Sequence, residues 1–271
     1  MPLNFVDSHC HLDMLDLAEF DHHMDNVIAQ AAANQVSDIL SIAVDLDSFP
    51  RILDSAKNYP NVYVSVGLHP CHTPDKSINI NELITLADDP KVIAIGETGL
   101  DYYMNNGSDP LGEDFIWQQE RFRVHIRAAV QTGKPLIIHT RDAKDDTLRI
   151  LAEENASQAG AIMHCFVEDM ATAEKALEMG FYISFSGIVT FKNAKSIQAV
   201  AKAMPDDRIL IETDSPYLAP VPMRGSKNQP AYVAYVAEFL AELRGTSIEH
   251  IAAVTRENYY RLFKLNTSQV T

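Results

Sequence analysis

The apolar positions of this chain fall into eight short runs rich in valine and isoleucine: Leu3–Val6, Ile39–Val44, Val62–Val66, Val92–Ile95, Leu136–Ile138, Ala161–Met163, Phe181–Ser184 and Ile209–Ile211. Each has the length and bounding residues of a buried strand. Most of the stretches between them follow helical period instead. From Asp114 to Thr132, Phe115, Phe122, Ile126 and Ala129 share one face of a predicted helix, which Gly133 and Pro135 end. Near the far end, Thr246 and Glu249 form a candidate capping box ahead of Ile251, Val254 and Leu262. Strand alternating with helix eight times predicts an α/β fold, a TIM (β/α)8 barrel, whose chemistry sits at the carboxyl ends of the strands. The alternative is a doubly wound sheet, but no glycine-rich phosphate turn follows the first strand.

Length and composition fit that picture. The 271 residues are 46% hydrophobic with no low-complexity stretch, so one domain spanning 1–271 is expected. The start, Met1 to Asp7, has no basic region, and no later segment approaches an uncharged run of about 18 residues. A soluble cytoplasmic monomer with no membrane partner is the expectation. Cys10, Cys71 and Cys165 are too few and too scattered for a disulfide framework. Each adjoins a histidine, yet alternation along a strand turns Cys10 away from its neighbours, so the thiols read as bystanders.

Charge changes the picture of partners. The formal net charge of −15 argues against a protein that grips polyanions over a broad basic face. Its distribution is uneven: residues 1–101 carry 16 Asp and Glu against 4 Lys and Arg, the remainder 21 against 18. Phosphate contacts are therefore expected from the later part of the chain.

The candidate chemistry lies where the runs end. The first run leads into Asp7, His9 and His11, the third into Gly67-Leu68-His69-Pro70, and the fourth into Gly96-Glu97-Thr98-Gly99-Leu100-Asp101. The fifth ends in His139-Thr140-Arg141-Asp142, the sixth in His164-Cys165-Phe166, the eighth in Glu212-Thr213-Asp214-Ser215-Pro216. On extended backbone, residues i and i+2 point to one side, so His9 and His11 can hold one ion. A His-x-His pair alone is weak; metal-capable side chains on one rim from independent strands make a metal site. The ligand set is His9, His11, Glu97, His139, His164 and Asp214. Four imidazoles and two carboxylates exceed what one tetrahedral ion uses, so two divalent ions sharing a carboxylate are expected. Glu97 is the expected bridge, because strand four lies between strand one and strands five and six. Asp214 is cast as ligand and general base. The ions would be Mg2+, Mn2+ or Zn2+; this mixed ligation also suits Fe2+ or Ni2+.

At these residues the chain resembles the TatD family of metal-dependent deoxyribonucleases. The resemblance runs from Asp7 to about Phe263. It rests on Asp7-Ser8-His9-Cys10-His11-Leu12-Asp13, Gly67-Leu68-His69-Pro70, Gly96-Glu97-Thr98-Gly99-Leu100-Asp101-Tyr102-Tyr103, Pro135 to Arg141, and His164-Cys165-Phe166. It continues in Ser186-Gly187 with Thr190-Phe191-Lys192, Glu212 to Leu218, and Arg224-Gly225 with Asn228. The resemblance implies a TIM barrel and hydrolysis of phosphodiester bonds in DNA, often from the 3′ end of single strands. It also implies metals on the same six residues. Related amidohydrolases use a carboxylated lysine as bridge, but Lys134 stands at the wrong end of strand five. One departure stands out: Val167-Glu168-Asp169 replaces the family's usual small residues after His-Cys-Phe.

Around the centre, His69 is a candidate phosphate contact or partner of the metal ligands, and His72 a surface residue. Arg141, Lys192 and Arg224 are candidate contacts to phosphates. Tyr102, Tyr103, Phe166, Phe191 and Tyr217 could stack on bases, although packing roles suit most of them. His22, His23, His125 and His250 sit on helical or polar stretches and read as solvated or core residues. The function this points to is a 3′-5′ deoxyribonuclease acting on single-stranded DNA or 3′ ends, with RNA as a further substrate. Two alternatives remain: a small-molecule amidohydrolase or phosphoesterase at the same two-metal centre, and a non-catalytic binding module on the same barrel.

Overall fold

Valine and isoleucine place two branches on Cβ and suit pleated backbone buried on both faces. All eight apolar runs form strands in the computed structural model, which describes residues 3–103 and 115–266. They are β1 (Phe5–Cys10), β2 (Val36–Ser41), β3 (Val62–Val66), β4 (Val92–Asp101), β5 (Leu136–Arg141), β6 (Ala161–Met163), β7 (Tyr182–Phe185) and β8 (Ile209–Ile211). Each pairs in parallel with the next, in the order β1 to β8. Strand β8 then reaches back to β1. Asp214 N donates to His9 O at 2.9 Å, His11 N to Ser215 O at 2.8 Å, and Ser8 Oγ to Ile211 O at 2.9 Å. The architecture is the TIM barrel, and the doubly wound alternative falls.

Strand ends differ from the apolar runs where polar residues take part in the ladder. Strand β1 continues through His9 to Cys10, and β4 runs on through Glu97 to Asp101, which pairs opposite Arg141 of β5. Strand β2 starts at Val36 because Val36 pairs with Phe5. Backbone bonds to a neighbouring strand hold these residues extended whatever their side chains.

Helices α1 (Met24–Ala33), α2 (Phe49–Lys57), α3 (Ile80–Leu86), α4 (Ile116–Thr132), α5 (Lys144–Glu153), α6 (Met170–Glu178), α7 (Lys195–Ala203), α8 (Val233–Arg244) and α9 (Ile248–Phe263) surround the strands. Helix α4 ends where expected, with Gly133 in the left-handed region at φ 64°; Asp114, its expected first residue, lies outside the described residues. The cap of α9 is Ser247, which accepts from His250 N at 3.2 Å. Thr246 is committed elsewhere, its N–H closing the end of α8 on Ala241 O.

Two apolar layers hold the barrel. One lies between strands and helices, with Phe5, Ile39, Val64, Ile95 and Ile138 against Val27, Ile52, Phe122 and Val236. The other contains Val6, Leu40, Ile42, Ala94, Ile137, Ile162 and Leu210, with Tyr259 and Phe263 of α9. This second layer fills the barrel and leaves the carboxyl rim for polar residues. Among the described residues, no helix is long and apolar enough to cross a membrane.

Candidate metal centre

All six expected ligands converge at the carboxyl rim. Glu97 stands in the middle, with its two oxygens facing different groups. Oε2 lies 3.5 Å from His9 Nε2 and 3.9 Å from His11 Nε2. Oε1 lies 2.8 Å from His164 Nε2 and 3.3 Å from His139 Nδ1. Asp214 closes the first group, its Oδ1 3.5 Å from His9 Nε2 and 3.4 Å from His11 Nε2. Cys10 is fully buried with its Sγ toward Leu40 O, facing the barrel wall.

Two glycines of β4 permit this approach. A Cβ on Gly99 (φ 132°) would sit 2.0 Å from His139 O, and one on Gly96 (φ 150°) 2.8 Å from the Ile137 side chain. Without side chains there, β4 presses Glu97 and His139 together.

Behind the rim, hydrogen bonds orient the rings. The Ile42 carbonyl faces His11 Nδ1 at 3.2 Å, leaving Nε2 with a lone pair for the site. Asp101 Oδ2 is 2.9 Å from His139 Nε2, whereas Glu212 Oε1 stands 3.4 Å from His164 Nδ1 without a hydrogen bond. His69 differs. Its Nδ1 accepts from Cys71 N at 3.1 Å, so the ring proton is on Nε2, 3.3 Å from Glu97 Oε1. His69 therefore enters the centre as a donor. The residue ahead of it is held by fully buried His125, whose Nε2 accepts from Leu68 N at 3.0 Å while its Nδ1 donates to Arg121 O at 2.8 Å.

Burial and charge act in opposite directions here. Burial would raise Glu97, but His164, His69 and His9 and a hydrogen bond to His139 hold it well below the ordinary carboxylate range. Burial also works to raise Asp214, and His11, His9 and His164 bring it below its usual value. Burial lowers His9, with help from His164. Asp7, sealed beneath the site, is pushed up to about 8 by burial, against hydrogen bonds from Thr213 and His9.

The donor set fits divalent cations. His164 Nε2 stands 2.8 Å from Glu97 Oε1 yet makes no hydrogen bond, because the contact lacks the required direction. His9 Nε2 and His11 Nε2 face each other at 3.3 Å. Ligand atoms of His9, His11 and Asp214 lie within 4.8 Å of one another, as do those of Glu97 and His139. Lone pairs brought this close in a buried site suit a cation between them.

A cavity of about 730 Å³ opens above this centre. Its lining includes His11, His69, Glu97, His139, Arg141, His164 and Asp214. The Arg141 guanidinium lies over the Tyr103 ring, 3.7 Å from its centroid. Lys192 and Arg224 are not brought into the lining. Lys192 is exposed, and Arg224 stacks on Phe191 at 3.8 Å. His72, expected at the surface, lines the cavity half-buried. His250 pairs with Asp206 at 2.8 Å. Lys134 donates to the carbonyls of Ala87 and Val92, away from the rim. The loop after β6 takes up its extra charge locally: Asp169 caps α6 at Thr172 N and pairs with Lys144, and Lys144 also offsets the charge of Glu168.

Sequence reasoning gave no role to Asp101 or Glu212, although both stand in the quoted strand ends. The available signal was an acidic residue following a strand predicted to be buried on both faces, at a rim where burial requires a partner.

A TIM barrel with imidazoles and carboxylates gathered at its carboxyl rim defines the class: this is a metal-dependent hydrolase. The chain belongs to the TatD family, since residues 6–264 match the family described as TatD related DNase. It is 47% identical over 265 residues to the metal-dependent hydrolase YcfH of Escherichia coli K12, covering 98% of this chain and 97% of that one. It is 30% identical over 258 residues to the 3′-5′ ssDNA/RNA exonuclease TatD of Salmonella typhimurium LT2, covering 93% and 96%. The crystal structure of YjjV, a TatD homologue from Escherichia coli K12, is 28% identical with a TM-score of 0.85, over 97% of this chain and 98% of that one.

Proposed function

We propose that this protein hydrolyses phosphodiester bonds in DNA, removing nucleotides from the 3′ end of single strands, with RNA as a further substrate. The observation that carries the reading is the split of Glu97 between two groups of imidazoles. His9, His11, Asp214 and Glu97 Oε2 would hold one divalent cation; Glu97 Oε1, His139 and His164 would hold the other. Mg2+, Mn2+ and Zn2+ all suit these ligands. When bound, such cations lower the pKa of water and offset the charge that gathers on phosphate oxygens during attack.

The chain's own residues supply the rest. Asp214, kept ionised by its histidine neighbours, takes the proton of the attacking water. His69 donates its Nε2 proton to a phosphate oxygen. Arg141, held flat against Tyr103, forks onto the phosphate. Lys192 and Arg224, further out, meet neighbouring phosphates. A 730 Å³ cavity lies in the range of about 300–1,000 Å³ that buries one small molecule, so a strand end enters and a duplex does not. The net charge of −15 weakens general attraction to DNA and favours processing of ends.

The test is a labelled single-stranded oligonucleotide incubated with Mg2+ or Mn2+ and with chelator, for the natural protein and Asp214→Asn. The expected result is metal-dependent shortening from the 3′ end, lost in the variant. Absence of metal-dependent digestion would overturn the nuclease reading in favour of a small phosphoester or amide substrate. Digestion by Asp214→Asn at the natural rate would remove Asp214 as base.

A further inference from the structure

Three polar atoms behind the metal centre are buried and without partners. His9 Nδ1, His164 Nδ1 and Glu212 Oε2 are closed off from solvent and make no hydrogen bond. The rings of His9 and His164, one from each half of the centre, stack at 3.9 Å between centroids and 8° from parallel. Ligand-capable atoms of His9, His164 and Glu212 lie within 4.8 Å of one another. Glu212 is 0% exposed, and its Oε1 already accepts from Cys165 N at 2.6 Å. A carboxylate so buried is destabilising unless its lone pairs are met, and a neutral imidazole carries one proton that needs an acceptor.

We propose that Glu212 is the shared positioning residue of both half-sites, its carboxylate accepting the Nδ1 protons of His9 and His164 together. Oε1 faces His164 Nδ1 and Oε2 is the free acceptor for His9 Nδ1. Both rings then turn an unprotonated Nε2 toward Glu97 and Asp214. The same arrangement is split elsewhere in the centre, where Asp101 backs His139 alone and the Ile42 carbonyl backs His11 alone. Glu212 thus couples the two cation sites through one side chain beneath a stacked pair of rings. The inference rests on the two-cation reading and deepens it.

Zinc binding to metal-free protein, followed by titration calorimetry, separates the roles of the acidic residues. Asp101→Asn is expected to weaken one of two binding events by about 10- to 100-fold, and Glu212→Gln to weaken both by that factor. Glu212→Gln weakened at one event only would overturn the shared role of Glu212. Long-range proton–nitrogen NMR of the zinc-loaded natural protein, with its histidine rings labelled, gives a second reading that needs no Glu212 variant to fold. His9 and His164 are both expected to carry the proton on Nδ1. A proton on Nε2 of His9 would overturn the proposal while leaving the metal centre standing, whereas no zinc binding by the natural protein would remove both.

Discussion

Acid should loosen the loop that carries His69 through a residue that never reaches the cavity. His125 of α4 is fully buried, donating from Nδ1 to Arg121 O and accepting at Nε2 from Leu68 N. Only the neutral ring protonated on Nδ1 does both. Burial lowers its pKa from 6.5 to about 4. The folded ring therefore stays neutral where the unfolded one is charged. Unfolding takes up a proton as pH falls from 6.5 to about 4, so the contribution present above 6.5 is lost across that window. At about 1.4 kcal/mol per unit, the loss is about 3 kcal/mol. His125→Gln keeps an acceptor for Leu68 N but does not titrate. The stability gap between natural protein and variant should shrink by about 3 kcal/mol between pH 7 and pH 4. Urea unfolding of metal-free protein measures it, followed through Trp117, the one tryptophan and a residue of the same helix. A gap that stays constant across the range would refute the reasoning.

Four further outcomes follow from the geometry. Gly99→Ala drives a Cβ to 2.0 Å from His139 O at φ 132°, so it should lower stability by about 3 kcal/mol or more; a melting temperature equal to the natural one would contradict the close strand contact. Replacing His9 and His11 together by Asn should leave far-UV circular dichroism unchanged while metal analysis finds one cation fewer and most activity disappears. Arg141→Ala should raise KM for single-stranded oligonucleotides by about tenfold or more with a smaller change in kcat, and Arg141→Lys should recover only part, since an ammonium neither forks nor lies flat on Tyr103. The metal-loaded protein should bind long duplex DNA weakly at physiological salt, as read by gel shift; tight binding would overturn the argument from net charge.

Much of the fold was legible because barrel strands are buried on both faces and read as unbroken apolar runs. Their ends were less so. His9 and the stretch from Glu97 to Asp101 are polar, and only the neighbouring strand holds them extended. The six convergent residues were legible for a related reason: a parallel barrel delivers every strand end to one rim, so position along the chain predicts position in space. What backs each ring was not. That Asp101 meets His139, and Glu212 lies under both His9 and His164, depends on which strands become neighbours and how the rings turn. The Thr246 cap failed on a finer matter, because the end of α8 had already used that residue.

The most direct test of the two-cation account is an anomalous difference map from crystals of the protein soaked in Mn2+. The account predicts two peaks on either side of Glu97, one against His9, His11 and Asp214 and one against His139 and His164; a single peak, or none at the rim, would contradict it.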